Sequence, residues 1–455
     1  MTKLNTRLFS SVIYSSAGNL AVKFFAIIGY ILIIRKLQLH DYGIFVLLTS
    51  LVGPVASIVL VSFDRIFVSS FAAARSRLQH GYMKGLLREY YLLSLVLLIG
   101  VFLVGYIFRD VLAHYYNFYL LSYFWPLVVF ITSQLVMNLI SLFLEANEKF
   151  KHISILETIE ASSRTCLIII AFFMIPFSVT TVLWIYTISK IIFCLVGLTF
   201  FISTYRQVFV SAIVAERRVI VNIIKTFGKW EMAKTLLAQL SQPVKPFALK
   251  FFVNIEAVAI YDFARNVYSA CASALPLNSV IFPFIASNVD RTDILHLIVT
   301  KARKYSFLYA SLMFVAVIIF TPLVIQYVFP QYIGSSIIVY LMVAHLFVDA
   351  YKSGQDGLVY AYKEQKFMFI LLPLTIIAQI ILDIAGAKVF GVSGTALSWH
   401  LGALLPGIVT AIYLSRKWNM PQTRLREILN FDAYDRMLLK KVFGRFRKLL
   451  PGSSA

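Results

Sequence analysis

The sequence predicts an all-helical integral membrane protein with twelve transmembrane helices and both termini on the cytoplasmic side. The 455-residue chain is 60% hydrophobic and only 14% charged, and its mean hydropathy is +0.82. Apolar runs of about twenty residues, the length that spans a bilayer, recur from end to end. Basic residues concentrate in alternate connections between these runs, as expected of a polytopic membrane protein.

The predicted spans form two groups of six, separated by the longest break in hydrophobicity. Their boundaries are 12–34, 44–63, 90–108, 119–143, 153–175, 180–203, 235–253, 260–285, 305–328, 331–351, 367–386 and 392–415. The first run is too long for a signal-peptide core and lacks a small-x-small cleavage site, so we expect it to remain as a span. The predicted domains are an N-terminal lobe (1–203), a basic cytoplasmic connection (204–234), a C-terminal lobe (235–415) and a basic amphipathic cytoplasmic tail (416–455).

The distribution of positive charge sets the predicted orientation. Of the 42 Lys and Arg residues, 32 lie in the amino terminus, the even-numbered connections and the tail. The odd-numbered connections contain only Arg35, Lys36, Arg109 and Lys388. The positive-inside rule therefore places both termini in the cytoplasm. A net charge of +21 would suggest a nucleic-acid partner for a soluble protein, but here it indicates topology, and we expect no nucleic-acid binding.

The sequence gives little sign of metal or catalytic chemistry. Cys166, Cys194 and Cys271 lie in apolar spans at unrelated spacing, which indicates neither a disulfide framework nor a metal site. The outward connections are short, about ten residues or fewer, and leave no room for a catalytic domain. We therefore expect a transporter rather than an enzyme, with no catalytic residues, no metal and no cofactor.

Three pairs of segments indicate an internal repeat. HDYGIF matches AIYDFA, EANEKF matches YKEQKF, and SVTTVLW matches VSGTALSW, at offsets of 219, 217 and 215 measured at Tyr42 and Tyr261, Phe150 and Phe367, and Ser178 and Ser393. Because six spans return the chain to the side it left, both halves keep the same orientation. The repeat predicts two six-helix lobes related by a pseudo-two-fold axis along the membrane normal.

Six basic residues fall inside the predicted spans, namely Lys23, Arg164, Lys190, Lys245, Lys250 and Arg265. Each Lys or Arg at the centre of a span costs about 2.5 to 3.5 kcal/mol on insertion scales, so these side chains should face a cavity or a partner. The candidate anion-binding residues are Lys23, Lys190 and Lys245, with Arg164 and Arg265 in support. Lys250 lies near the outer end of its span, where it can reach the interface.

Polar residues accompany these cations. Ser15, Asn19 and Lys23 recur every four residues and form one polar stripe on span 1. In span 7, Gln242 shares a similar face with Lys245. Pro243 and Pro246 remove backbone donors, which predicts a broken helix turn beside Lys245. Membrane proteins tolerate such a break where the backbone is buried or lines a cavity.

Pairing with carboxylates is the alternative to ligand binding. Arg164 follows Glu160 by four residues and Arg265 follows Asp262 by three, the spacings of intrahelical ion pairs. Lys23, Lys190 and Lys245 have no acidic residue in their own spans. They either face an anion-binding cavity or pair across helices with Asp262, Asp349 or Asp383.

Two further groups have weaker signals. Asp383, late in span 11, is a candidate for binding a coupling ion, H⁺ or Na⁺, although as a lone carboxylate it gives a weak signal. We interpret His345 and His400 as hydrogen-bonded buried histidines rather than proton relays.

Four stretches carry a resemblance to a known family: LQLHDYGIFVLLTSL after span 1, EANEKF after span 4, IYDFARNVYSACASALPLNSVIFPFIA after span 7 and YKEQKF after span 10. With them, residues 5–415 resemble the Wzx-type polysaccharide or O-antigen flippases. These belong to the polysaccharide transporter branch of the multidrug/oligosaccharidyl-lipid/polysaccharide exporter (MOP) superfamily. The resemblance implies a MATE-like fold with a V-shaped central cavity and alternating access.

The resemblance also implies a substrate and a location. The substrate would be an oligosaccharide on undecaprenyl diphosphate, moved from the inner to the outer leaflet of a bacterial plasma membrane. The functional unit would be a monomer among membrane lipids, with glycosyltransferases and a polymerase of the same pathway as partners. The intramembrane cations would contact the diphosphate or acidic sugars, and lysines, acting as point charges, suit a ligand that must be released.

Two other classes of protein remain as alternatives. A MATE-like drug/cation antiporter would share the fold but should offer acidic residues to a cationic drug, whereas central cations predominate here. An integral-membrane glycan polymerase or ligase would need a substantial outward loop with acid and base groups, and the sequence has none.

Overall fold

The computed structural model describes residues 2–60, 63–110, 114, 119–209, 215–225, 229–274, 281, 285, 291–362, 364–418 and 427. Side chains are described for these residues except 2–17, 65, 76, 119–121, 229–231, 234, 360 and 365. The Ser15 side chain and nearly all of the predicted tail at 416–455 therefore lie outside the described residues. Within the described part, every regular element is helical.

The helices of the first half follow the predicted spans and their connections. They are α1 (Thr2–Lys36), α2 (Leu39–Ser50), α3 (Val52–Val59), α4 (Asp64–Ser76), α5 (His80–Ile107), α6 (Tyr119–Ala146), α7 (Phe150–Met174), α8 (Val179–Val208) and α9 (Val219–Ile223).

The second half continues in the same way. Its helices are α10 (Lys229–Ser241), α11 (Val244–Phe252), α12 (Ile255–Ala274), α13 (Thr292–Val328), α14 (Ser336–Lys352), α15 (Gln355–Ala361) and α16 (Gln365–Trp418), with a 3₁₀ turn at Pro330–Ser335.

Eight helical stretches among the described residues are long and apolar enough to cross a membrane. They are Gly18–Lys36, Leu39–Val59, His80–Ile107, Ser122–Ala146, Val179–Val208, Thr292–Val328, Pro330–Val359 and Lys366–Trp418. The last of these includes predicted spans 11 and 12. The helices at predicted spans 5, 7 and 8 are charged or broken, and the total of twelve spans stays a prediction.

The exposed side of α5 is apolar over the second half of the helix. The side chains of Leu95, Val96, Ile99 and Leu103 are each more than half exposed. Soluble monomers rarely expose contiguous apolar surface of this kind, because water would have to cover it. Together with the apolar helices, this surface identifies a multi-pass membrane protein.

The described residues pack into two compact units. The first contains Met1–Asp262, Val324–Gly334 and Ile380–Thr395, and the second contains Phe263–Leu323, Ser335–Gln379 and Ala396–Ala455. The first unit thus extends past the predicted N-terminal lobe: its longest segment ends within α12, and two shorter segments come from later in the chain. The predicted lobe boundaries at 203 and 235 stay a prediction.

In the first unit, α1 packs lengthwise against α7. Gly18 lies against Ser154 and Gly29 lies against Ile168, so the two backbones approach closely. The Thr165 hydroxyl donates to the Phe25 carbonyl oxygen at 2.9 Å. Small residues at such contacts are typical of helix packing in membranes, where close van der Waals contact replaces the hydrophobic effect.

Two breaks interrupt the long helices. Residues Gln242 and Pro243 form a turn between α10 and α11, which confirms the helix break predicted from the prolines. Pro246 lies in the first turn of α11, where the missing N–H would have no intrahelical acceptor. In α16, Gly391 has φ 59° and ψ −133°, a conformation that disfavours other residues and divides the helix between predicted spans 11 and 12.

Gly43 allows α2 to contact the beginning of α12. A Cβ atom at this position would lie 2.3 Å from the carbonyl oxygen of Ile255, much closer than van der Waals contact. On either side of this contact, His40 Nδ1 lies 2.9 Å from Glu256 Oε1, and the Tyr42 hydroxyl donates to Asp262 at 2.6 Å. The absence of a side chain at Gly43 therefore lets both polar pairs form.

Replacing Gly43 by Ala should lower the Tm of the purified protein, because the added methyl group forces α2 away from Ile255. The matched control is Gly100→Ala in α5, where a Cβ would meet no atom within 4 Å. This control should have an unchanged or raised Tm, because Ala favours helix over Gly by about 1 kcal/mol. Equal Tm values for the two variants would contradict the close-contact explanation.

Glu364 binds three side chains at the C-terminal end of α16 in the second unit. Its carboxylate accepts hydrogen bonds from Lys417 Nζ at 2.6 Å, from the Tyr413 hydroxyl at 2.6 Å and from Trp418 Nε1 at 3.0 Å. The hydrogen bonds from Lys417 and Tyr413 lower the pKa of Glu364 below its usual value of 4.5. The ionised carboxylate is therefore the form that holds the helix end.

Replacing Glu364 by Gln should lower the Tm at pH 7. Because the folded-state pKa of Glu364 is depressed, its stabilising contribution is present above its ordinary pKa and is lost as pH falls through the folded value. The Tm difference between Glu364→Gln and the unmodified protein should therefore shrink as pH falls below 4.5. A difference that does not change with pH would contradict the assignment.

Candidate functional site

A buried charge cluster connects α7 and α8 in the first unit. Glu160 Oε1 lies 3.3 Å from Arg164 Nη1 and 3.7 Å from Lys190 Nζ. It also accepts a hydrogen bond from the Ser189 hydroxyl at 3.1 Å. The predicted intrahelical pair of Arg164 with Glu160 is confirmed, and the same carboxylate oxygen also faces Lys190 across the helix contact.

Aromatic rings surround the two cations. The Arg164 guanidinium carbon lies 5.0 Å from the Tyr186 ring centroid, and Lys190 Nζ lies 5.3 Å from that of Phe130. Tyr186 also packs edge-on against Phe45 of α2, with centroids 5.5 Å apart. Ring faces carry partial negative charge, so they stabilise these cations where water is scarce.

The cluster carries surplus positive charge. Glu160 is the one carboxylate within ion-pair distance of Arg164 or Lys190 among the residues that the structure describes. The side chains of Glu160 and Lys190 are 7% and 6% exposed, whereas that of Arg164 is 16% exposed. Two cations on one carboxylate leave a formal charge of +1, and the more accessible cation is the guanidinium.

Lys245 forms a different pair, also in the first unit. Its Nζ lies 3.9 Å from Asp383 Oδ2, with exposures of 17% for Lys245 and 2% for Asp383. Lys245 stands in the first turn of α11, directly after the break at Pro243. Pairing with Asp383 is one of the two arrangements that the sequence left open for Lys245.

The other candidate residues occupy varied positions. Lys23 and Asn19 are exposed on α1, on one side of that helix as the stripe predicts, and Gln242 is exposed in the turn before α11. Asp262 is buried and accepts the hydrogen bond from Tyr42. Arg265 is half-buried and belongs to the second unit. The structure thus brings Arg164 and Lys190 together and places Lys245 in its own pair.

Sequence reasoning missed two partners. Glu160 was assigned to Arg164 alone, because Lys190 lies on the next helix and sequence spacing does not reveal contacts between helices. Tyr42 was noted only as a repeat position, although its hydroxyl binds the buried Asp262. No group of three or more His, Cys, Asp or Glu side chains in the described part of the chain is placed to hold a metal ion.

Comparison with known proteins identifies the family. The model of the family described as "Polysaccharide biosynthesis protein" matches residues 8–289. The chain belongs to this family. Comparison with curated proteins gives no match.

Solved structures share the fold at low sequence identity. The lipid II flippase MurJ in an inward closed conformation has a TM-score of 0.70 at 13% identity, covering 95% of this chain and 97% of that one. An inward-facing multidrug resistance MATE family transporter of the MOP superfamily has a TM-score of 0.69 at 12% identity, covering 87% and 94%. An outward-facing MATE family transporter has a TM-score of 0.53 at 12% identity, covering 90% and 95%. The fold is therefore that of MOP-type transporters.

Replacing Glu160 by Gln should destabilise the protein strongly. Removing one partner of a buried ion pair costs about 3 to 5 kcal/mol, because the charge that remains is buried without compensation. Here Arg164 and Lys190 both lose their carboxylate. The double variant Glu160→Gln, Lys190→Met removes the more deeply buried of the two cations and should recover part of the lost stability. Tm values of both variants, measured in the same detergent, check this expectation.

Glu157 on the same helix offers a matched control. It forms no ion pair with a described residue, and its carboxylate repels that of Glu160. Glu157→Gln should therefore leave the Tm unchanged or raise it. A Tm for the double variant no higher than that of Glu160→Gln alone would show that Lys190 does not depend on Glu160.

Proposed function

We propose that this protein is a flippase for an undecaprenyl-diphosphate-linked oligosaccharide, such as the repeat unit of an O-antigen, capsule or exopolysaccharide. It moves this lipid from the cytoplasmic to the outer leaflet of a bacterial plasma membrane by alternating access. Membership of the polysaccharide biosynthesis family supports a substrate of glycan assembly. Similarity to the fold of a lipid II flippase supports translocation of a lipid-linked sugar.

The surplus positive charge at Arg164 and Lys190 is the observation that carries the proposal. A diphosphate cannot enter hydrocarbon alone, because the free energy of moving an unpaired ionised group from water into an apolar environment is very unfavourable. Glu160 neutralises one of the two cations, and an anionic ligand at this cluster would neutralise the other. The planar Arg164 guanidinium can donate two parallel hydrogen bonds to phosphate oxygens.

The remaining candidates have supporting roles in this proposal. Lys23 and Asn19 offer an accessible cation and amide on α1, and the proposal extends to Ser15, Gln242, Lys245 and Arg265 as further polar or cationic contacts. Asp262 is held by Tyr42 and serves to position α12. Asp383 already faces the Lys245 ammonium group, which does not favour it as a site for a coupling ion.

The proposal includes a cellular setting. We place both termini in the cytoplasm, in accord with the distribution of basic residues. The protein works as a monomer among membrane lipids. Glycosyltransferases that build the oligosaccharide act before it, and a polymerase acts after it.

A drug/cation antiporter is the second candidate, because MATE transporters share the fold. A cationic drug would approach the Glu160, Arg164 and Lys190 cluster, which has a formal charge of +1. The buried carboxylates of Glu160 and Asp383 already pair with cations of the protein. Repulsion between like charges therefore disfavours this function. A glycan polymerase or ligase has no support from the structural neighbours, which are named as transporters and flippases.

Deletion of the gene in its host tests the function directly. Membranes are then analysed for undecaprenyl-diphosphate oligosaccharide, and the outward-facing pool is measured as the fraction oxidised by impermeant periodate. We expect surface polymer to be lost and the lipid-linked oligosaccharide to accumulate in the protected pool. Accumulation in the oxidised pool would indicate a polymerase, and unchanged polymer together with drug sensitivity would indicate an antiporter.

Complementation with Arg164→Gln should lower the outward-facing pool about tenfold or more, the effect of losing a charged hydrogen bond to the substrate. The variant leaves Glu160 paired with Lys190, so the amount of folded protein should be retained. Arg164→Lys keeps the charge without the planar group and should have partial activity. Lys388→Ala, at an exposed lysine outside the cluster, is the control; full activity of Arg164→Gln would remove Arg164 from the site.

A further inference from the structure

A second buried polar cluster lies in the second unit, where α12, α14 and α16 meet. His345 Nδ1 lies 3.1 Å from His400 Nδ1, and His400 Nε2 lies 2.8 Å from the Leu341 carbonyl oxygen. His345 Nε2 lies 3.8 Å from Asp349 Oδ1. The Tyr268 hydroxyl donates a short hydrogen bond to Asp349 Oδ2.

The hydrogen-bond partners fix the positions of the protons on the two imidazoles. A carbonyl oxygen only accepts, so His400 Nε2 must carry hydrogen. If both rings are neutral, His400 Nδ1 is then an acceptor and His345 Nδ1 is the donor. His345 Nε2 consequently has a lone pair directed toward Asp349.

A proton added to this arrangement can lie between His345 Nε2 and Asp349 Oδ1. Whichever ring carries the shared proton between the Nδ1 atoms, a singly protonated imidazole pair has hydrogen on His345 Nε2. That hydrogen faces Asp349 Oδ1, which has a lone pair to accept it. Uptake of one proton changes the formal charge of His345, His400 and an ionised Asp349 from −1 to 0.

The surroundings suit reversible protonation. The His345 side chain is only 3% exposed, whereas that of Asp349 is 42% exposed, so the carboxylate connects the buried ring to the surface of the unit. His345 stacks on Trp399, with centroids 4.2 Å apart and ring planes at 11°. A ring face in this position stabilises the cationic form.

The charged and titratable groups that face the pair come from each packed helix. Tyr268 contributes from α12, Asp349 and Lys352 from α14, and His400 from α16. Lys352 acts electrostatically on Asp349, and its aliphatic stem packs against Gly407 of α16. Asp349 is thus surrounded by one cation, Lys352, and three ionisable rings, those of Tyr268, His345 and His400.

The sequence indicated buried, hydrogen-bonded histidines rather than a proton relay, but the contact of His345 with Asp349 adds a carboxylate to the pair. We propose that His345 Nε2 and Asp349 Oδ1 form a reversible proton-binding site in the second unit. The site is built from three helices, so its occupancy changes the attraction between α14 and α16 through His400 and between α14 and α12 through Tyr268. In the flippase of the proposed function, this site would couple substrate movement to protons. That coupling rests on the proposed function, whereas the proton site itself does not.

Trp399 provides an optical probe of this site in the full-length protein. Tryptophan emission is titrated from about pH 5 to pH 9, the range in which histidines change charge, in lipid nanodiscs. The same titration of Trp399→Phe is subtracted, which leaves the emission of Trp399. We expect a single step with pH, because an imidazolium stacked on the indole alters its emission where the neutral ring does not.

His345→Gln should abolish the step, since glutamine keeps a hydrogen bond but takes up no proton. Asp349→Asn should keep the step and move its midpoint to lower pH by about one to three units, the effect of removing an opposite charge at this distance. His152→Gln, at a histidine of the first unit, is the control and should leave the step unchanged. No step in the unmodified protein, a step that survives His345→Gln, or an unmoved midpoint in Asp349→Asn would overturn the proposal.

Coupling is tested separately in the deletion host. His345→Gln should retain folded protein and lower the outward-facing pool of lipid-linked oligosaccharide. If the unmodified gene also fails to change that pool, the flippase proposal fails while the fluorescence titration still decides the proton site. If only His345→Gln has full activity, the site binds a proton without driving transport and the coupling is overturned.

Discussion

The structure depends on one constraint, which is that an ionised group inside the membrane must have a partner. Glu160 serves two cations at once, and Asp383 holds Lys245. The neighbouring cations offset the cost of ionising these buried carboxylates, since insertion of an unpaired charge costs several kcal/mol. The contact of Glu160 with Lys190 joins the consecutive helices α7 and α8, and that of Lys245 with Asp383 joins α11 and α16, which are distant in sequence. Pairing of charge thus contributes to helix packing in the first unit.

The repeated segments show how this constraint shapes the fold. HDYGIF and the stretch that contains AIYDFA were aligned at an offset of 219 residues, and the structure places them against each other. His40 meets Glu256, Tyr42 meets Asp262, and Gly43 lies against the Ile255 carbonyl oxygen. These contacts explain why the first packing unit continues to Asp262 instead of ending at the hydrophilic connection near residue 204.

Local features were predictable from the sequence, and contacts between helices were not. The i, i+4 pair of Glu160 with Arg164 and the break at Pro243 follow from spacing and backbone chemistry, and both are present. Hydropathy also located the eight described helical stretches that are long and apolar enough to cross a membrane. The contact of Lys190 with Glu160 requires the rotation of α8 about its axis, and that of His345 with His400 requires the docking of α16. Such rotations depend on packing, which a single sequence does not specify.

Glu160 neutralises only part of the charge of Arg164 and Lys190, which suits a site that must release its ligand. Two uncompensated cations would be expensive to bury in the empty protein and would hold a diphosphate tightly once it arrived. One carboxylate on two cations lowers the cost of the empty state and leaves a single positive charge for the ligand. A carrier needs binding strong enough to admit its substrate and weak enough to release it, as conduction does in channels. In the proposed flippase, Glu160 would thus adjust the affinity for the diphosphate, and Arg164, the more accessible of the two cations, would provide the contact.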